Sequence, residues 1–302
     1  MARYDRTDLA KESLARCPDL AGVTKRERTD ENGVAITTIT VETEGAAETL
    51  GKPVGTYITA ELPESPESRA AASAVAEGLT SLLDGVSGHV LVIGLGNRRI
   101  TPDALGPATV EKVYVTRHIR SFAPELAPEG MRTVSALSPG VLGVTGLETA
   151  EVVKGLIALV RPGAVLCVDA LASERVERMT DVIQMNDVGL LPGAGVGNRQ
   201  RGLNRETLGV PVFALGVPTV VRASTIARRA VELLTEKTGV GGDGAALSDM
   251  AAELTDARLS DMVVTPKDVD KLVEDASGRL AEGINRALLG DCYEEISALL
   301  TR

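Results

Sequence analysis

From Ser65 onward the chain alternates short, wholly apolar runs with longer helical stretches, and that alternation admits few folds. The clearest run, Val90 to Ile93 (VLVI), has no polar position. A strand half-exposed to water would alternate, so this one is expected to be covered on both faces. Ahead of it, Pro66 to Leu83 predicts an Ala-rich helix with Pro66 near its start, where a missing N–H costs little. Further helices are expected through Asp103 to Tyr114 and Glu148 to Val160. Strands at Ala164 to Val168, Val182 to Met185 and Val210 to Leu215 follow, then helices over Val220 to Thr235 and Pro266 to Leu289. Gly239 to Gly244 reads as a loop. Such an order predicts an α/β fold, with a mostly parallel sheet and helices on both of its faces.

The first sixty or so residues follow a different pattern. A short helix over Thr7 to Arg16 precedes two alternating runs, VTKRER and VAITTITVE, joined by the turn residues Asp30-Glu31-Asn32-Gly33. Thr56 to Leu62 is another short β run. Residues 9–64 are therefore expected as a small, hairpin-rich subregion ahead of an α/β core over 65–302, within one domain.

Composition removes several function classes. Aromatic residues are only 2% of the 302, with no Trp, so the core must be aliphatic and base stacking has few platforms. A formal net charge of −10 is the wrong sign for gripping a phosphate backbone, so no direct nucleic-acid partner is expected. Cys17, Cys167 and Cys292 are far apart and without CxxC spacing, as suits reduced thiols in a cytoplasmic protein. The polar start, MARYDRTDLAKESLARC, is no export signal, and no apolar run reaches the roughly 18 residues of a membrane span. No membrane partner is expected either.

Two acids stand where apolar strands give way to loops: Asp103 in VLVIGLGNRRITPDALGP and Asp169 in AVLCVDALAS. That edge of a parallel sheet is where α/β proteins carry their ligand clefts. Taken singly, each has a structural role available, Asp103 at a helix N-terminus after Pro102 and Asp169 as a cap. Taken as a pair, they can do chemistry. Two carboxylates about 4 Å apart repel by roughly 4 kcal/mol at an effective dielectric of about 20. One then stays protonated while its partner ionises, so the ionised one can take a proton from water and the protonated one can polarise a peptide carbonyl.

Other chemistries are poorly supplied. GLGN (Gly94 to Asn97) follows a strand, but the third glycine of a dinucleotide fingerprint is replaced by Arg99, and Asp103 would repel a pyrophosphate. No GxSxG elbow occurs, so Ser138 and Ser173 read as ordinary loop or cap serines. His89 and His118 are the only histidines, too few for a histidine-rich metal centre. The glycine-rich loops Pro139 to Gly146 and Gly189 to Gly202 could offer backbone N–H groups to an extended peptide, with Arg199 and Arg201 solvated.

Together these segments resemble the bacterial spore germination proteases, aspartic endopeptidases that degrade small acid-soluble spore proteins. The resemblance spans nearly the whole chain: RTDLA near the start, GLGNRRITPDALGP, SALSPGVLGVTGLET, VDALAS, PGAGVGN with TLGVPVFALGVPTVV, and VTPKDVD. It implies an αβα sandwich, a catalytic pair at Asp103 and Asp169, no cofactor, assembly as a homotetramer, and residence in the cytoplasm of the developing spore as an inactive precursor. It also implies self-cleavage between Asp8 and Leu9, after an acidic residue and before an apolar one. Only eight residues precede that bond, so the prosegment is expected to be unusually short or the start truncated. Arg222, after PTVV, stands where the resemblance implies an acid. Hydrogenase-maturation endopeptidases share the GxGN turn and two acids, but recognise nickel with a histidine beyond the second acid, and none follows Asp169 here. A non-catalytic oligomeric binding protein of the same fold would hold the two acids apart or in salt bridges.

Overall fold

A computed structural model of the chain describes residues 7–63, 68–174, 179–190, 201–238, 259 and 262–300. The strands are β1 (Val23–Thr29), β2 (Ala35–Val41), β3 (Gly55–Glu61), β4 (Val90–Gly94), β5 (Val134–Leu137), β6 (Ala164–Ser173), β7 (Val182–Asn186), β8 (Val212–Arg222) and β9 (Val263–Val264). They form one sheet in the order β1-β2-β3-β7-β8-β6-β4-β5, with β9 paired to β8. The core β5-β4-β6-β8 is parallel throughout, as the strand–helix alternation predicts. From β8 outward through β7, β3, β2 and β1 every pairing is antiparallel. The hairpin-rich start therefore extends the main sheet. Its outermost strand, β1, carries Lys25, Arg26, Glu27 and Arg28, exposed charges that discourage another chain from adding to the edge.

Side-chain parity divides the core into two layers. Val90 and Val92 of β4 and Leu166 and Val168 of β6 pack with the helices Ser68–Leu82 and Val269–Leu289. The alternate residues Leu91, Ile93, Val165 and Cys167 face the helix Thr149–Val160. Both faces of these strands are thus covered, which is why their sequences lack alternation. The two helices of the first layer approach closely at Gly283, where an added Cβ would come 2.5 Å from Val75 Cβ. A third cluster, Leu14, Ile39, Val41, Leu50 and Tyr57, seats the helices Ala10–Ala15 and Glu44–Leu50 on the antiparallel end.

Several boundaries move. The N-terminal helix begins at Ala10 and not at Thr7, because residues 7–9 are taken up by contacts with β6 and β7 described below. The helix expected from Asp103 divides into a 3₁₀ turn, Thr101–Asp103, and an α-helix, Leu105–Val110. β8 runs to Arg222 rather than Leu215, despite Pro218. It accommodates the proline with a bulge, since Leu171 pairs with Pro218 and Ala172 with Val220, leaving Thr219 extra. The loop expected at Gly239 to Gly244 lies outside the described residues. Among the described residues no helix is long and apolar enough to cross a membrane.

Candidate active site

β4 ends at Gly94, paired with Val168, whereas β6 continues to Ser173. From Asp169 onward β6 is therefore flanked by β8 on one side and has no β4 on the other. The step opens a cleft of about 1340 Å³ whose walls include Asp8, Lys52, Asp103, Asp169 and Gln184.

Asp169 lies within β6 rather than beyond its end, because Ala170 to Ser173 keep pairing with β8 around the Thr219 bulge. By parity it continues the Val165–Cys167 row, so it does not cap a helix. Its residue is only 9% exposed, and its Oδ1 accepts from the Ala170 N–H at 2.9 Å. Its partner in register, Gly216, has no room for a side chain, as a Cβ would stand 2.6 Å from the Asp169 carbonyl oxygen.

Asp103 is presented by the 3₁₀ turn after β4. Its Oδ2 accepts from the Asn97 N–H at 2.7 Å, and the Thr219 hydroxyl donates to the Pro102 carbonyl at 2.6 Å. The bulge that Pro218 requires thus also braces the turn that carries Asp103. Gly96, at φ 111°, sits against this turn, and a Cβ there would fall 2.0 Å from the Asp103 carbonyl oxygen. The GLGN glycines serve close backbone approach.

Burial pushes both carboxyls above the usual carboxylate range. Asp169 is displaced well above it, by burial first, then by the charge of Asp103, then by that of Asp8. Asp103 is held back by the Asn97 N–H. The two acids therefore share one electrostatic site. Between its unfolded and folded values Asp169 binds more protons in the native state, so stability falls as pH rises through that window. Asp169→Asn removes the loss. Its thermal midpoint is expected to exceed wild type by on the order of 2–4 °C at about pH 8 and to converge with it at acidic pH. Melts showing no pH-dependent gain would contradict a proton held there by the fold.

The segment at Asp8 occupies the open side of β6. The Asp8 N–H donates to the Ala172 carbonyl at 3.2 Å, and the Ala172 N–H donates to Asp8 Oδ2 at 2.9 Å. Lys52 Nζ donates to the carbonyls of Thr7 and Asp8 at 2.9 and 3.0 Å. Gln184 Nε2 donates to the Asp8 carbonyl at 2.6 Å, while its Oε1 accepts from the Ala10 N–H at 2.6 Å. Leu9 is 1% exposed, and its N–H is held by the Thr7 hydroxyl at 3.0 Å. Glu12 accepts from Thr7 Oγ1, from Ser173 Oγ at 2.8 Å and from the Glu174 N–H at 3.0 Å. Burial raises Asp8, opposed by Lys52, the Ala172 N–H and Arg222, so Arg222 answers the charge of Asp8. Burial lowers Lys52, opposed by Asp8 and Glu12.

Sequence reasoning missed Lys52, Gln184 and Glu12. Gln184 left one signal, an amide inside the wholly buried strand VIQMN, which must find partners. Lys52 left none; it is turned inward by Gly51, whose left-handed φ of 64° ends the helix Glu44–Leu50. The residues set aside behave structurally. His89 bonds the Val160 carbonyl and Ser135, while His118 and Ser138 are exposed. Arg201 reaches Glu148 at 3.6 Å, and Arg199 lies outside the described residues.

Comparison with known proteins agrees with this architecture. A family model described as germination protease matches residues 5–249. Germination proteases of Caldanaerobacter subterraneus and Clostridium perfringens are 40% and 39% identical, covering 98% and 94% of this chain and the same shares of their own. That of Bacillus subtilis is 37% identical over 97% of this chain and 94% of its own. The fold is α/β, and these matches make the chain a peptidase. The chain belongs to the germination protease family.

Proposed function

We propose that this chain is an endopeptidase of spore germination that degrades small acid-soluble spore proteins in the cytoplasm of the developing spore, with Asp103 and Asp169 as its catalytic pair. The observation that carries the reading is that Asp8 lines the same cleft as both acids and is tied to Ala172 of β6 through its backbone N–H and its side-chain carboxylate. The deeper burial of Asp169, beside two other acids, favours it as the proton donor to the leaving nitrogen. Asp103, eased by the Asn97 N–H, is then the base that takes a proton from water. No cofactor is needed for this chemistry.

In the same reading the chain cleaves itself between Asp8 and Leu9, and the sequence Thr7-Asp8-Leu9-Ala10 stands in for substrate. Assembly as a homotetramer also belongs to it, since the exposed Leu142, Val144 and Leu147 offer an apolar surface for another copy.

The test is direct. Held under mildly acidic conditions, the purified chain should lose residues 1–8 by intact mass. It should then cut a small acid-soluble spore protein into discrete fragments, each bond following an acidic residue and preceding an apolar one. A sample that digests the spore protein but keeps its own Asp8–Leu9 bond would end the processing claim, and one that leaves the spore protein whole would end the substrate claim. A monomer by sedimentation would remove the tetramer.

A further inference from the structure

Peptide hydrolysis needs more than an acid and a base, because negative charge gathers on the carbonyl oxygen as water adds. An isolated oxyanion in a low-dielectric cleft is costly, and donors aimed at that oxygen are among the largest contributions a protein makes. The ionised member of the carboxylate pair cannot supply this stabilisation, and the proton of the other is assigned above to the leaving nitrogen. Two other groups meet the requirement. Lys52 Nζ stands 3.0 Å and Gln184 Nε2 stands 2.6 Å from the Asp8 carbonyl oxygen, the oxygen of the bond expected to break.

We propose that Lys52 and Gln184 are catalytic residues that polarise the scissile carbonyl and hold its oxyanion, completing the site begun by Asp103 and Asp169. The inference rests on the self-cleavage reading above. Gln184 is suited to the task by the way it spans the bond: its amide N–H faces the carbonyl of Asp8, and its amide oxygen holds the N–H of Ala10, one residue past the leaving nitrogen. Its place in β7, paired on both sides, fixes that spacing. Lys52 adds positive charge that Gln184 lacks.

The step then balances. One water proton passes to the Asp103 carboxylate while the water oxygen bonds to the Asp8 carbonyl carbon. The carbonyl π pair moves onto the oxygen facing Lys52 and Gln184. As that pair returns, the bond from the Asp8 carbon to the Leu9 nitrogen breaks, and the nitrogen takes the proton of Asp169.

The test separates polarisation from simple tethering. Self-cleavage of the full chain is followed by intact mass in Lys52→Met and Gln184→Leu. Docking of the segment is read by hydrogen exchange over residues 7–12, with Asp103→Asn added to keep the bond intact. The expected result is cleavage slower by about 10²–10³-fold, with protection of the segment changed less than about twofold. Lys52→Arg should recover part of the lost rate. Cleavage within about threefold of wild type in both variants would overturn the inference. So would a slowing matched by an equal loss of protection, which would make both residues tethers only. If Asp103→Asn alone still cleaves itself, the underlying carboxylate reading fails, and this inference with it.

Discussion

Asp103→Asn and Asp169→Asn should each leave a folded chain whose cleavage of small acid-soluble spore proteins, and of its own Asp8–Leu9 bond, is slower by at least about 10³-fold. Asparagine keeps the size of the side chain and one carbonyl oxygen, so the Asn97 N–H at residue 103 and the Ala170 N–H at residue 169 can still be satisfied. What it cannot do is exchange a proton near neutral pH. At residue 103 the water loses its base, and at residue 169 the departing nitrogen loses its acid. Because each lost group stops a different proton transfer in one reaction, the double variant should be little slower than either single one. Circular dichroism near wild type and thermal midpoints no lower than wild type, together with near-zero turnover, are the expected readout. Turnover within about tenfold of wild type in either variant would show that the two carboxyls are not the acid and base.

Gly106→Ala should be strongly damaging, costing about 3 kcal/mol or more and most of the activity. A Cβ at that position would stand 2.3 Å from the Leu95 carbonyl oxygen and 2.5 Å from both the Leu95 nitrogen and the Val168 carbonyl oxygen. All three are backbone atoms, and they cannot rotate away as a side chain would. The Leu95 N–H also donates to the Val168 carbonyl at 2.8 Å, the last link between β4 and β6 before the strands part. Forcing them open would separate the turn carrying Asp103 from the strand carrying Asp169. A urea melt checks the stability, and Ala108→Gly, on the same helix Leu105–Val110, serves as a milder control expected to cost about 1 kcal/mol. Stability within about 1 kcal/mol of wild type for Gly106→Ala would mean that the helix can retreat from the sheet without cost.

Much of the fold could be read along the chain because burial leaves a local pattern. The runs at Val90 and Ala164 are uniformly apolar because both of their faces are covered, and Ala-rich periodicity marks the helix Ser68–Leu82. β5 and the helix Glu44–Leu50 escaped notice, being short and only partly apolar. The true length of β8 was hidden by Pro218, which reads as a strand breaker until the Thr219 bulge is seen to absorb it. For the site, strand-end position nominated Asp103 and Asp169, and the family resemblance alone pointed to the Asp8–Leu9 bond. The same reading assigned no role to Lys52, Gln184 or Glu12, since a lysine in a loop, an amide in a strand and an acid in a helix are each ordinary until their partners are known.

The sequence by itself therefore determined the α/β class, the parallel core and the family, and nominated the two acids, because hydrophobic patterning and collinear motifs are both written along the chain. Only the tertiary structure decided that β4 stops short while β6 runs on, and that residues 7 and 8 fill the gap this leaves. It also decided that side chains more than a hundred residues apart converge on one peptide carbonyl. The physical reason is that hydrophobic periodicity reports which face of an element is buried, whereas a site depends on which elements meet, and that is fixed by sheet order and register.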